Sequence, residues 1–489
     1  MLEPGLKRPN RPSARRPIIY AAVVLAVVAG AIAVVLGGSG TRHPRPGARG
    51  SVDPFGYSPQ RAADYERRAS AGFAHPLYAL SPGGVIATAR RTLAFERQIT
   101  QAAAQARLDP RTLEAIVLLE SAGRPDAIAG HDPAAAAGLT QIVAGTATAL
   151  LGMHVDVAAS RRLTARIALA RRRNHRTDVA RFERDRTRVD DRFDPAKALA
   201  ATGRYLALAR KRFGRDDLAV VSYHMGIGNL DHTLKAYGAS KPIPYTQLYF
   251  DSTPLRHAPA YNLLASFGDS SSTYYWRILA AREILRLYRA DPRRLAQLDR
   301  PQRARNSAEE VLHPPGSPVY ATPAAIGDAR RRGELVALPA QLPGIRIDPH
   351  VGELARKLHA QPALYRALRP DALAVLAYVG AAVRTIAPNS TPLVVSSGVR
   401  DTSYQRLLRG RNAEAAHGYS LHETGFALDI LRRYGSRPQA LAFQFLLERL
   451  QALDLITWVR EPTAIHVVVA SDAGRLLPAS PAPGRPGTG

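Results

Sequence analysis

The segment Leu113-Glu114-Ala115-Ile116-Val117-Leu118-Leu119-Glu120-Ser121 ends an apolar helical run on a carboxylate. A carboxylic acid in apolar surroundings keeps its proton to higher pH, because burial disfavours the charged form. Such a group can protonate the leaving oxygen of a glycosidic bond, a task that hydrolases usually share with a second carboxylate. A further concentration of chemistry-bearing residues lies later in the chain. It comprises Ser397-Gly398-Val399-Arg400-Asp401, then Ser420-Leu421-His422-Glu423-Thr424-Gly425-Phe426-Ala427-Leu428-Asp429-Ile430, then Ile465-His466-Val467. The chain has no cysteine. Cys-ligated structural zinc, iron–sulfur clusters and thiol nucleophiles are therefore excluded.

The elements that must position these residues follow from pattern. With 489 residues the chain is too long for one ordinary core, and two or three domains are expected. The charge-free run at 18–36 would span roughly 28 Å as a helix, enough to cross a bilayer. Lys7, Arg8, Arg11, Arg15 and Arg16 precede it and hold that end in the cytoplasm. The expected order is a basic cytoplasmic tail at 1–17, a single-pass transmembrane anchor at 18–37 and a Gly/Pro/Arg/Ser-rich linker at 38–85. A mostly helical domain at 86–290 follows, with helix starts at Asp109-Pro110 and Asp194-Pro195. A Pro-punctuated linker at 291–345, an α+β domain at 346–472 and a tail at 473–489 complete the chain. A cleaved signal peptide, with secretion, is the alternative to the anchor. In both cases the domains are extracytoplasmic. The 67 Lys+Arg against 40 Asp+Glu, a net charge of +27, then face anionic wall polymers or lipid, and no nucleic-acid partner is expected.

Glu120-Ser121 is followed by Ala137-Gly138-Leu139-Thr140-Gln141-Ile142 and Thr146-Ala147. Gly203-Arg204-Tyr205-Leu206 and Ser222-Tyr223-His224-Met225-Gly226-Ile227-Gly228-Asn229 come later. This ordered set resembles the lytic transglycosylase family with the goose-lysozyme-like fold. Gln247-Leu248-Tyr249-Phe250-Asp251 and Tyr274-Tyr275-Trp276-Arg277-Ile278-Leu279 extend the match. Thr140, Ala144 and His224-Met225 depart from the family pattern, and an Arg-rich insertion separates Leu150 from Phe193. The resemblance implies non-hydrolytic cleavage of the MurNAc-GlcNAc bond of peptidoglycan. Glu120 would act first as acid, then as base toward the sugar's own 6-hydroxyl, leaving an anhydro ring. Ser121, Gln141 and Tyr223 would contact the glycan, with Tyr223 hydrogen-bonding near Glu120.

The later motifs resemble the zinc D-alanyl-D-alanine carboxypeptidase family, which shares its fold with the hedgehog signalling domain. The pattern Ser-x-His-x-x-Gly-x-Ala-x-Asp is met at every fixed position by Ser420, His422, Gly425, Ala427 and Asp429. By this resemblance His422, Asp429 and His466 are zinc ligands, and two imidazoles with one carboxylate leave a fourth tetrahedral position open. Arg400 would hold the carbonyl or carboxylate of a stem peptide. The family's general base precedes the last His by three residues, whereas Glu461 precedes His466 by five. On one continuous strand the two side chains point to opposite faces. With a turn between them they share a face. The combined expectation is a two-enzyme remodeller that cuts glycan strands and trims or cuts stem peptides. The alternative keeps the transglycosylase active and makes the C-terminal domain a non-catalytic wall- or partner-binding module.

Overall fold

Asp109 and Asp194 start helices in the way their pairing with Pro predicts. The Asp109 carboxylate accepts from the Arg111 amide at 3.0 Å, and that of Asp194 from Ala196 at 2.9 Å. Each satisfies an amide that has no partner within its helix. The computed structural model describes residues 53–477 apart from 131, 305–307 and 411–417. The chain divides into two compact units, residues 124–201 and the rest of the described chain.

In the larger unit, helix Pro110–Ser121 packs against Val85–Leu93, Glu96–Ala106 and Tyr274–Ala290. Its Leu113, Ala115, Ile116 and Val117 are fully buried. Arg289 clamps the pair of helices, donating to both oxygens of the buried Glu114 at 2.6 and 2.9 Å. A cluster of Tyr65, Tyr245, Tyr249, Phe250 and Trp276 fills the neighbouring core, with Tyr65 stacked on Phe250 at 4.4 Å.

The α+β part of the same unit has a five-stranded sheet in the order Ile345–Ile347, Leu393–Ser397, Ala427–Leu431, Ala464–Val469, Ile456–Arg460. The first pair is parallel and the others are antiparallel. Helices Pro370–Ile386 and Arg437–Ala452 pack together beside it. The two stretches read as linkers are, where described, built into this unit. Helix Ala62–Gly72 lies in the former and buries Tyr65 and Ala69. Helix Pro323–Arg331 lies in the latter and places Ile326 in a core with Leu335, Tyr365, Val399 and Tyr404.

Helix Ala62–Gly72 also packs on Arg437–Ala452, which joins the helical and α+β parts. Arg449 lies 3.6 Å above the Tyr249 ring and donates to the Ser252 carbonyl. Phe445 meets Phe55 and Tyr261 edge-on. A Cβ on Gly72 would stand 2.0 Å from the Gln451 carbonyl oxygen. Gly72→Ala is therefore expected to cost about 1–3 kcal/mol through overpacking. Thermal unfolding of the full chain should show a lower Tm, and an unchanged Tm would contradict this contact.

The smaller unit contains a short antiparallel pair, Ala136–Ala137 with Ile142–Val143. The Arg-rich insertion is a helical hairpin, Val157–Arg172 and Arg176–Val189. Ile167, Ala170 and Phe182 close its apolar seam, while Arg161 and Arg171 lie exposed and pair with Asp132, Asp126 and Glu183.

The expected N-terminal transmembrane helix requires correction. Among the described residues no helix is long and apolar enough to cross a membrane. Pro370–Ile386, for example, is apolar but sends Ala372, Val375, Leu376 and Val379 into a protein core. The run at 18–36 lies outside the described residues.

Candidate active and metal sites

Glu120 sits in the last turn of Pro110–Ser121. The chain then turns sharply through Ala122 and Gly123, both at positive φ. A Cβ on Gly123 would lie 2.6 Å from the Thr92 amide, so only glycine allows this approach. Arg91 donates to the Ala122 carbonyl at 3.0 Å and anchors the helix end. The residue keeps partial exposure although its carboxyl end is densely surrounded. Burial pushes that carboxyl up to about 7, and a hydrogen bond from Tyr274 pulls the other way. The Tyr274 hydroxyl donates to Oε1 at 2.7 Å. Burial and the adjacent Glu120 carboxylate raise Tyr274 well above the usual phenol range, so it remains a donor.

Tyr274 was not singled out from sequence, although it begins one of the matched blocks. Tyr223 lies in the same unit, its hydroxyl 3.3 Å from Thr202 Oγ1 and its ring edge-on to Tyr205. His224 tilts over Tyr274 with ring centroids 5.1 Å apart. Ser121, expected to touch substrate, is buried and donates back to the Val117 carbonyl at 3.2 Å. Gln141 belongs to the smaller unit. Its amide donates to the carbonyls of Ala127 and Gly138 at 3.1 and 2.8 Å, which braces its own loop.

The second constellation forms on the sheet. Asp429 and His466 are cross-strand partners, and His422 occupies the single turn Leu421–Thr424 leading into the Asp429 strand. His422, Asp429 and His466 are all buried, with one potential ligand atom from each within 4.8 Å of the others. His422 Nε2 is 3.2 Å from Asp429 Oδ2, and His466 Nδ1 is 2.8 Å from Asp429 Oδ1. The other nitrogen of His422 lies 2.8 Å from the Gly398 carbonyl, which sets its tautomer. Burial, then the nearby Arg400, lowers His422 to about 4. Burial alone would raise Asp429, but the two imidazoles outweigh it and hold the carboxyl well below the usual range. This buried donor set of two nitrogens and a carboxylate, with an outer partner on His422, fits a zinc ion.

Arg400 is held close to that set. It donates to Ser397 Oγ, Gln405 Oε1 and Asp429 Oδ2, the last at 3.0 Å. Its guanidinium therefore orients a ligand candidate, beyond the substrate contact expected of it. Glu461 follows the turn geometry of the two considered. Val459 pairs with His466, and the Glu461 amide bonds the Ala464 carbonyl across the turn Pro462-Thr463. Glu461 thus shares the His466 face of the sheet. A carboxylate that sequence reading missed, Glu309, reaches within 3.5 Å of His466 Nε2. It lies in the stretch read as a linker, where no periodicity marked it.

Residues 97–162 match the family model described as the transglycosylase SLT domain. The match contains Glu120, Ser121 and Gln141. It supports a lytic transglycosylase domain with peptidoglycan as its substrate. No curated protein matches the chain.

Proposed function

We propose that the chain cleaves peptidoglycan glycan strands outside the cytoplasm with Glu120 as sole acid/base, and that its α+β domain is a zinc peptidase acting on stem peptides. The observation that carries the first part is the buried Glu120 carboxyl, raised to about 7 and held by Tyr274. Protonated Glu120 gives its proton to the bridging oxygen as the C1–O bond breaks. The resulting carboxylate then takes the proton of the sugar's 6-hydroxyl while O6 bonds to C1. The 1,6-anhydro ring closes without water, and Glu120 regains its proton. A single group can serve both steps because a pKa near 7 leaves both forms accessible at neutral pH.

In the α+β domain His422, Asp429 and His466 would hold the ion. Zinc supplies Lewis-acid polarisation of a peptide carbonyl and of a water molecule. Arg400 steadies Asp429, and Glu461 is assigned the water's proton. A second reading has this domain bind the wall without turnover. The engagement of Arg400 by Ser397, Gln405 and Asp429 favours it.

A muropeptide profile with and without a zinc chelator tests both parts. Anhydro-muropeptides should form in either condition, while peptide-trimmed products should vanish with chelation. Absence of anhydro products overturns the first part. One zinc per chain without peptide products would favour the second reading.

A further inference from the structure

We propose that Glu309, from the segment joining the helical and α+β domains, is a positioning residue for His466 that tightens metal binding at the His422–Asp429–His466 site. This rests on the zinc reading above. His466 turns Nδ1 toward Asp429 at 2.8 Å, inside the triad, and Nε2 outward to Glu309 Oε2 at 3.5 Å. A metal can take only a nitrogen that lacks a hydrogen. An anion facing Nε2 at 3.5 Å favours the tautomer that carries its hydrogen there and leaves Nδ1 bare. His422 has the mirror arrangement, with Nδ1 at the Gly398 carbonyl and Nε2 toward Asp429. Each imidazole thus has one inward nitrogen and one outer partner. For His466 that partner is an anion, which also strengthens the ligand's electron donation.

The joining segment is fixed where this role needs it. Helix Glu309–Leu312 packs on strands Ile456–Arg460 and Ala464–Val469. His313 Nε2 lies 2.7 Å from the Val469 carbonyl, and its ring stacks on Phe426 at 4.2 Å. Tyr419 donates to the His313 carbonyl at 3.0 Å. The Glu309 side chain is only 12% exposed, so it is held rather than free to swing in solvent. The sequence pattern places Glu309 outside the α+β domain, yet the packing makes it part of that domain's site.

The test titrates zinc into full-length wild type, Glu309→Gln, Glu309→Asp and His422→Ala against a chromophoric chelator, and records visible spectra of the cobalt-loaded proteins. Glu309→Gln should still bind one ion but about 10–100-fold more weakly. Its cobalt bands should match wild type, because the direct ligands are unchanged. Glu309→Asp should recover part of the affinity, which excludes misfolding as the cause. Affinity of Glu309→Gln within twofold of wild type overturns the proposal. So do shifted cobalt bands, which would make Glu309 a direct ligand. A wild type that binds no zinc, like His422→Ala, defeats the zinc reading itself.

Discussion

Glu120→Gln is expected to lower anhydro-muropeptide release by about 10²–10⁴-fold while leaving the fold intact. The amide keeps the size of the side chain and can still accept from Tyr274, but it has no proton to donate. In wild type, the rate at neutral pH depends on the carboxyl being raised to about 7 by burial. At pH 7 about half of it is protonated, whereas an ordinary Glu would be protonated in only about one molecule in several hundred. The acid step should therefore weaken about tenfold for each pH unit above 7. The same shift has a stability consequence. The folded pKa lies above the unfolded one, so ionisation disfavours the native state. Stability is full below about pH 4.5 and declines as pH rises toward 7. Glu120→Gln removes that decline. Because the residue is partly exposed, the gain at pH 8 is on the order of 1–3 kcal/mol. Tm compared at pH 4.5 and pH 8 should show it only at the higher pH. Wild-type activity in the Gln variant would remove Glu120 from the mechanism.

Arg192→Met is expected to destabilise residues 124–201 by about 3–5 kcal/mol. Arg192 and Asp190 are both fully buried, with Nη2 to Oδ2 at 2.7 Å. The guanidinium also donates to the carbonyls of Pro133, Ala135 and Ile142. Methionine would leave three carbonyls and a buried carboxylate without that partner. Ser160, at 2.8 Å from Asp190, offers one hydrogen bond and no charge. The loop around Gly138 rests on the Arg192 backbone: a Cβ there would come within 1.8 Å of its carbonyl oxygen. Gln141 sits on that loop, so its position depends on this pair. Limited proteolysis of Arg192→Met should cut first within 124–201, and replacing Asp190 with Leu as well should recover only the share due to the unpaired carboxylate, since the three carbonyls stay without a partner. Wild-type protease resistance in the single variant would show that the pair contributes little.

The parts that were legible in sequence are those set by short-range chemistry. Asp-Pro pairs announced two helix starts. The Ser-x-His-x-x-Gly-x-Ala-x-Asp spacing puts His422 in a turn and Asp429 on the strand that pairs with His466. The five-residue separation of Glu461 and His466 left two geometries, and a turn of Pro462 and Thr463 selects one. What sequence did not show depends on contacts between distant segments. Tyr274 meets Glu120 across 154 residues of chain. Glu309 reaches His466 from a stretch whose prolines and charges read as a linker. Helix Ala62–Gly72 had too few apolar positions to announce itself, yet it buries Tyr65 and joins the two domains. Motif position also says nothing of burial. Ser121 follows Glu120 directly but faces the core.

The most direct measurement of the central claim is digestion of purified peptidoglycan in H₂¹⁸O, followed by mass spectrometry of the glycan ends. If Glu120 closes the ring with the sugar's own 6-hydroxyl, the new ends are 1,6-anhydro and carry no ¹⁸O. Reducing ends labelled with ¹⁸O would mean that water attacks C1, and a lone carboxyl serving as both acid and base would no longer describe this enzyme.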